Sequence, residues 1–118
     1  MSTLQSLKYT FLFCLIIRPD LDTYVWDHYE RSVPMSTYLV SFIVFDFDVR
    51  KSKDSDFRVW ARHDAIAQTN YSLSIGPKML KFYEDYFKIK YPLPKMDIAA
   101  LPDFSAGAME NWGLMMFR

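Results

Sequence analysis

Glu110 is the carboxylate whose neighbours best suit ligand chemistry, because it follows two small residues in the segment Gly107-Ala108-Met109-Glu110-Asn111. Gly107 and Ala108 leave the backbone uncovered, so an extended peptide could approach closely enough to bond with its N–H and C=O groups. Placed in a closed cleft, Glu110 could then receive a cationic amine through charge-assisted hydrogen bonds. The alternative interpretation is an ordinary turn that carries a solvated glutamate.

Histidine and cysteine offer no second chemical site. His28 and His63 lie 35 positions apart with no acidic partner at motif spacing, which favours surface or strand positions for both. Cys14 is the single cysteine, so it cannot form an intramolecular disulfide and does not indicate a redox compartment. The sequence therefore predicts neither a metal ligand nor a catalytic residue within this chain.

Composition limits the other function classes. The 14 basic and 14 acidic side chains of the 118 residues cancel, so no overall field would attract nucleic acid or anionic lipid. A chain of this length accommodates one domain core at most. Hydrophobic residues make up 51% and aromatic residues 18%, which indicates a globular chain with much apolar surface to bury.

The apolar run Tyr9–Ile17 follows Lys8 and has the outline of a signal peptide, but Arg18-Pro19-Asp20 supplies no small-residue cleavage site. The run is also shorter than the about 20 residues that a membrane span needs. It is interpreted either as a buried strand or helix, or as sequence outside the folded domain.

Strand patterns come next along the chain. Met35 to Val49 is predicted as a strand, covered on both faces in its first half, Tyr38–Phe45, and on one face in its alternating second half. The charged segment Arg50–Asp56 is predicted as a solvated loop that marks a hairpin or a boundary. A second alternating strand follows at 57–62.

The spacing of apolar residues then changes from that of a strand to that of a helix. Pro77 either kinks a helix or occupies its first position, and we favour one kinked helix from about Asn70 to Phe87. The prolines of Tyr91-Pro92-Leu93-Pro94 require extended chain after it. Short strands are predicted at 96–101 and 112–117. The apolar positions that recur at helical spacing are Ile75, Met79, Phe82, Tyr83 and Tyr86.

The segment around Glu110, followed by Trp112-Gly113, resembles the exopeptidase motif of the zinc aminopeptidases of the aminopeptidase N family. The resemblance extends from about Leu21 to Arg118, and residues 1–20 do not fit it. Four further segments resemble the family in the same order, namely Ser32–Val40, Tyr83–Phe87, Tyr91–Lys95 and Leu101–Phe104.

This resemblance implies roles for the motif residues. Glu110 would bind the free α-amine of a peptide, and Gly107 and Ala108 would align its backbone. Met109 would lie beside the pocket for the first side chain. A role in packing is equally consistent with the sequence at Met109 and at Phe104. Asn111 belongs to the same predicted substrate-binding segment. Asp97 and Asp103 are interpreted as structural.

The family's chemistry also requires zinc held by His-Glu-x-x-His and a further Glu, and this sequence contains no such motif. The expectation is therefore that zinc belongs to the full-length parent, that this chain binds none, and that it is inactive alone while supplying the anchor for peptides with a free N-terminus. The alternative is a non-enzymatic product that binds peptides or a partner through exposed sheet edges.

The expected fold class is α+β. Residues 1–20 are unassigned, 21–56 are predicted as closing strands of an N-terminal β-domain, and 57–118 as the start of a thermolysin-like catalytic domain. The resemblance implies a parent at the plasma membrane or in the secretory pathway. Because the strands and the helix face would lack partners, we expect the isolated chain to self-associate.

Overall fold

The computed structural model describes the backbone of residues 8–11, 15–17, 20–21, 24–25 and 28–118, and the side chains of residues 29–118. Cys14 and the side chain of His28 lie outside the described residues, so the interpretations of both stay predictions. Two 3-10 turns span Thr37–Leu39 and Ile66–Thr69. In chain order the strands and the α-helix are β1 (Lys8–Phe11), β2 (Leu15–Ile17), β3 (Asp20–Leu21), β4 (Tyr24–Val25), β5 (His28–Tyr29), β6 (Phe42–Phe45), β7 (Asp48–Lys51), β8 (Phe57–Ala61), α1 (Asn70–Phe87), β9 (Met96–Ala100), β10 (Ala108–Met109) and β11 (Leu114–Phe117).

A mixed sheet of five strands, in the order β10-β11-β9-β8-β7, lies at the centre of the described chain. β8, β9 and β11 run parallel, and β7 and β10 add an antiparallel strand at either edge. Parallel neighbours need a long crossover connection, which α1 supplies between β8 and β9. Outside this sheet, β1 pairs with β6, β2 with β5 and β3 with β4. The combination of helix and mixed sheet confirms the predicted α+β class.

Both faces of the central sheet are packed. On one face, the helix side chains Leu73 and Leu80 contact the strand residues Phe57, Val59 and Met96. On the opposite face, the chain before the sheet covers strand residues, in a cluster formed by Phe45, Phe47, Trp60, Ala99 and Leu114. Burial of these apolar side chains is the main stabilising contribution that the described residues contain.

The predicted helix is confirmed from Asn70 to Phe87, with Pro77 inside it. Lys88 ends the helix in the left-handed conformation, at φ 57°. Gly76 faces the sheet, because a Cβ atom built on it would overlap the ring of Phe57. The missing side chain of Gly76 therefore allows the helix to lie close to β8.

The other face of α1 is open. Met79 is 47% exposed, Phe82 60% and Tyr86 69%, and no helix residue is fully buried. The sequence pattern predicted this apolar face, which has no cover in the described part of the chain, but it did not single out Leu73 and Leu80 as the residues that meet the sheet. Rings on the open face contact each other instead: Phe82 stacks on Tyr86 with centroids 6.1 Å apart.

The continuous strand predicted from Met35 to Val49 is wrong. Residues 37–39 form a 3-10 turn, and the strand character is divided between β6 and β7. Two-sided cover of the first half is also wrong, since Phe42 is 68% and Val44 51% exposed while Phe45 is buried. The physical reason is that β6 belongs to a two-stranded pair and packs inward through alternate residues only.

The charged segment after β7 forms a hairpin, which is the first of the two alternatives that the sequence left open. β7 pairs antiparallel with β8, with Lys51 opposite Arg58, so the first two residues of the predicted loop belong to the strand. The loop between the strands closes with a hydrogen bond from the Ser52 N–H to the Phe57 carbonyl at 2.8 Å. The predicted domain boundary at residues 56 and 57 falls in this hairpin, and that division stays a prediction.

Candidate functional site

The segment Gly107–Asn111 lies at one edge of the central sheet. β10 is the terminal strand of the sheet order and pairs with β11 on its inner side, with Met109 opposite Met116. Gly107 has a positive φ of 77°, a conformation that glycine adopts without steric cost. Its N–H donates to the Phe104 carbonyl at 3.1 Å, and its carbonyl accepts the Arg118 N–H at 2.8 Å. These bonds fix the entry to the segment.

The exit from the segment is a second turn. The Leu114 N–H donates to the Asn111 carbonyl at 3.1 Å, and Gly113 supplies the positive φ of 75° that the turn requires. Glu110 therefore lies on a short stretch of backbone that is hydrogen-bonded at both ends.

The predicted site residues fall into three groups by solvent exposure. Ala108 and Glu110 are exposed, Gly107 and Met109 are half-buried, and Asn111 is 3% exposed. The described residues bring the five together on one edge but do not enclose Glu110 in a cleft. A carboxylate in this position is available to a ligand.

Asn111 connects the segment to a distant part of the chain. Its side-chain amide Nδ2 donates to the carbonyl of Leu39 at 3.1 Å and lies 3.4 Å from that of Tyr38. Its Oδ1 is buried without a hydrogen-bond partner among the described residues. These contacts fix the side chain of Asn111, the residue after Glu110, and substrate contact by that side chain stays a prediction.

A buried charged pair lies next to this exit turn. The Lys95 ammonium donates to Asp97 Oδ2 at 2.9 Å and to the Gly113 carbonyl at 2.8 Å. The side chain of Lys95 is 2% exposed and that of Asp97 0%. Arg58 Nε approaches the other carboxylate oxygen, Asp97 Oδ1, at 3.9 Å. Asp97 is thus structural, as predicted.

Sequence reasoning missed Lys95. The available signal was its spacing of two residues from Asp97 at the start of a strand, because alternate strand residues share one face. Tyr91 closes the same region, since its hydroxyl donates to the Lys95 carbonyl at 3.3 Å. Burial raises the pKa of Tyr91 well above its usual range, so its phenol stays protonated.

A surface groove lies away from this segment. A groove of about 730 Å³ separates the hairpin loop from the inner face of α1 and from residues 91–96. Its lining does not include any of the residues from Gly107 to Asn111. This groove therefore does not coincide with the candidate site.

A zinc site does not fit the described residues. No group of three or more His, Cys, Asp or Glu side chains within residues 29–118 could hold a metal ion. His63 Nδ1 pairs instead with Asp48 Oδ2 at 2.7 Å on the surface. In the same part of the chain, no helix is long and apolar enough to cross a membrane.

Known proteins are similar in sequence to most of this chain. The model of the peptidase family M1 domain matches residues 71–118. Endoplasmic reticulum aminopeptidase 1 of Homo sapiens is 54% identical over 95 residues, which cover 78% of this chain and 10% of that protein. Aminopeptidase M1-C of Oryza sativa subsp. japonica is 49% identical over 94 residues, 77% of this chain and 11% of the relative.

Aminopeptidase N of Haemonchus contortus is 48% identical over 87 residues, which cover 71% of this chain and 9% of that protein. The chain thus spans about a tenth of the length of these curated relatives.

Proposed function

This chain belongs to peptidase family M1, and we propose from that premise that it carries the substrate-anchoring segment of an aminopeptidase. In this proposal Glu110 binds the free α-ammonium group of a peptide, so that only an N-terminal residue reaches the catalytic centre. The observation that supports it most is the exposed Glu110 carboxylate on backbone that is hydrogen-bonded at both ends.

The physical basis is preorganisation. A carboxylate that accepts hydrogen bonds from an ammonium group makes short, charge-assisted contacts, roughly twice as strong as neutral ones. Binding is stronger when the protein group is already held in its bound position, because less conformational freedom is lost. The turns at Gly107 and at Asn111 hold the backbone of Glu110 in this way.

The substrate backbone would add to the sheet edge. β10 has no described neighbour on its outer side, and its small residue Ala108 is exposed. An extended peptide can hydrogen-bond to such an edge, and pockets for its side chains then provide specificity. Met109, half-buried in the same strand, would border the pocket for the first side chain.

The M1 aminopeptidases are zinc enzymes, and the zinc would supply the activation of water for hydrolysis. The 118 residues contain no His-Glu-x-x-His, and the described residues hold no suitable ligand group. We therefore propose that this chain provides substrate anchoring without catalytic residues, and that alone it neither binds zinc one-to-one nor hydrolyses aminoacyl substrates. The proposed location of the full-length protein is the secretory pathway or the plasma membrane.

The test uses a chimera, in which the matching stretch of human endoplasmic reticulum aminopeptidase 1 is replaced by that of this chain. Glu110→Gln and Glu110→Ala in the chimera are expected to lower kcat/KM by about tenfold or more, a loss of about 1.4 kcal/mol in transition-state stabilisation. Zinc content should stay at the level of the unmodified chimera, because Glu110 is proposed as a ligand of substrate and not of metal.

The matched control is Glu30→Gln, which changes another exposed glutamate outside the motif and should leave the kinetics unchanged. Unchanged kinetics in both Glu110 variants would exclude Glu110 from the site. Loss of zinc in those variants would assign it to the metal instead.

A further inference from the structure

We propose that Lys95 and Asp97 are positioning residues for Glu110, acting through the carbonyl of Gly113. The inference rests on the proposed function, since it concerns how the α-amine anchor is held. The pair binds the turn that follows Glu110, and we infer that its role is to set the direction in which that carboxylate points.

The carbonyl of Gly113 is held from two sides. It accepts the backbone N–H of Asp97 at 3.0 Å and the ammonium of Lys95 at 2.8 Å. The backbone bond belongs to the parallel pairing of β9 and β11, in which Leu114 lies opposite Asp97. The strand pairing thus already satisfies this oxygen once, and the ammonium adds a charged donor at the same atom.

Burying this pair is energetically unfavourable unless its geometry is good. Taking an ammonium and a carboxylate out of water costs several kcal/mol per ion, and an apolar pair of similar volume is often as stable. A buried ion pair is therefore weak evidence for stability, whereas its best-attested role is to specify geometry. Lys95 contacts Asp97 Oδ2 at 2.9 Å, and Arg58 Nε lies 3.9 Å from Oδ1 on the other side of the carboxylate, beyond hydrogen-bond distance.

The path along the chain from the Gly113 carbonyl to Glu110 is short. Gly113 is the third residue after Glu110, and the turn between them is closed by the bond from the Leu114 N–H to the Asn111 carbonyl. The side chain of Asn111 is fixed to the carbonyl of Leu39 at the other side of that turn. We infer that moving the Gly113 carbonyl would shift the backbone next to Glu110, because the Asn111–Leu114 turn closes between them.

The test is a double-mutant cycle in the chimera, with Lys95→Met and Glu110→Gln alone and together. Lys95→Met is expected to raise KM for a peptide with a free N-terminus by about fivefold or more, with a smaller change in kcat. In the Glu110→Gln background the same substitution should change KM by less than about twofold, because the anchor that it positions is already lost.

Lys95→Met leaves a buried carboxylate without its lysine partner and could unfold the protein. The variant Lys95→Met with Asp97→Leu removes both charges and should keep the Tm and zinc content of the chimera, yet still show the raised KM. A wild-type KM in that apolar variant would overturn the inference. It would also be overturned if the effects of Lys95→Met and Glu110→Gln on KM were independent and simply multiplied in the double mutant. If Glu110→Gln alone has no effect, the proposed function fails instead.

Discussion

Two regions of this chain differ in how far their large apolar and charged side chains are buried. In the closed region, formed by β8, β9, β11 and the inner face of α1, Asp97 is 0% and Val59 2% exposed. In the open region, formed by Gly107–Asn111 and the outer face of α1, Glu110 is exposed and Phe82 is 60% exposed. Of the two carboxylates at this end of the sheet, Asp97 is buried beside Lys95 and Arg58, and Glu110 is exposed.

This difference in burial indicates different roles for the carboxylates of Asp97 and Glu110. A buried charge must find its partner inside the protein, so Asp97 contributes to the fold. An exposed carboxylate on fixed backbone contributes little to folding and is free to bind a ligand. Leaving one charge of the buried pair without its partner should therefore lower stability, whereas substitutions in the open region should change binding or association with little effect on stability.

The largest expected effect is at Asp97. Asp97→Ala in the chimera leaves the Lys95 ammonium buried without its carboxylate. This change should lower the free energy of unfolding of the chimera by about 3–5 kcal/mol. Glu110→Ala should change stability by no more than about 0.5 kcal/mol, as for other exposed positions. Thermal unfolding of the two variants side by side measures the contrast. Equal losses of stability would remove the distinction between the two regions.

The outer face of α1 should determine the association of the 118-residue chain. Replacing Phe82 and Tyr86 by Gln removes aromatic surface worth about 1.5–3 kcal/mol per buried side chain, so gel filtration should shift towards the monomer. The control is Lys81→Gln with Asp85→Asn, which removes an exposed ion pair on the same helix without changing net charge. A monodisperse wild-type monomer with a sharp unfolding transition would contradict this expectation.

A smaller effect is expected at Gly76, on the inner face of α1. Gly76→Ala should destabilise the chimera by about 1–3 kcal/mol, because the added Cβ would overlap the Phe57 ring. Helix propensity alone predicts the opposite sign, a gain of about 1 kcal/mol. Ser74→Ala at an exposed position of the same helix is the matched control, and Phe57→Leu should partly rescue Gly76→Ala. Denaturant unfolding that shows stabilisation would mean that the helix does not lie against β8.

Local patterns predicted the elements of the closed region well. The helix from Asn70 to Phe87 and the strands at Phe57–Ala61 and Met96–Ala100 follow from periodicity and from proline positions, which act over a few residues. The same patterns separated Phe45 and Phe47, which are buried, from Asp46, which is exposed.

Contacts between distant residues could not be predicted in this way. The bond between Asn111 and Leu39 joins positions 72 residues apart, and no local pattern specifies it. The lysine of the buried pair was overlooked because a charged residue beside a strand is ordinarily solvated. The apolar run at Phe42–Phe45 suggested two-sided burial, but only the tertiary arrangement decides whether a strand has neighbours on both faces.

The most direct test of the Glu110 anchor compares two competitive ligands in the chimera: a non-hydrolysable peptide analogue with a free α-amine and the same molecule with that amine replaced by hydrogen. With Glu110 present, removal of the amine should raise the inhibition constant by about tenfold or more, and in Glu110→Gln by less than about twofold. The same ratio of inhibition constants in both proteins would show that Glu110 does not bind the amine, and would contradict the central claim.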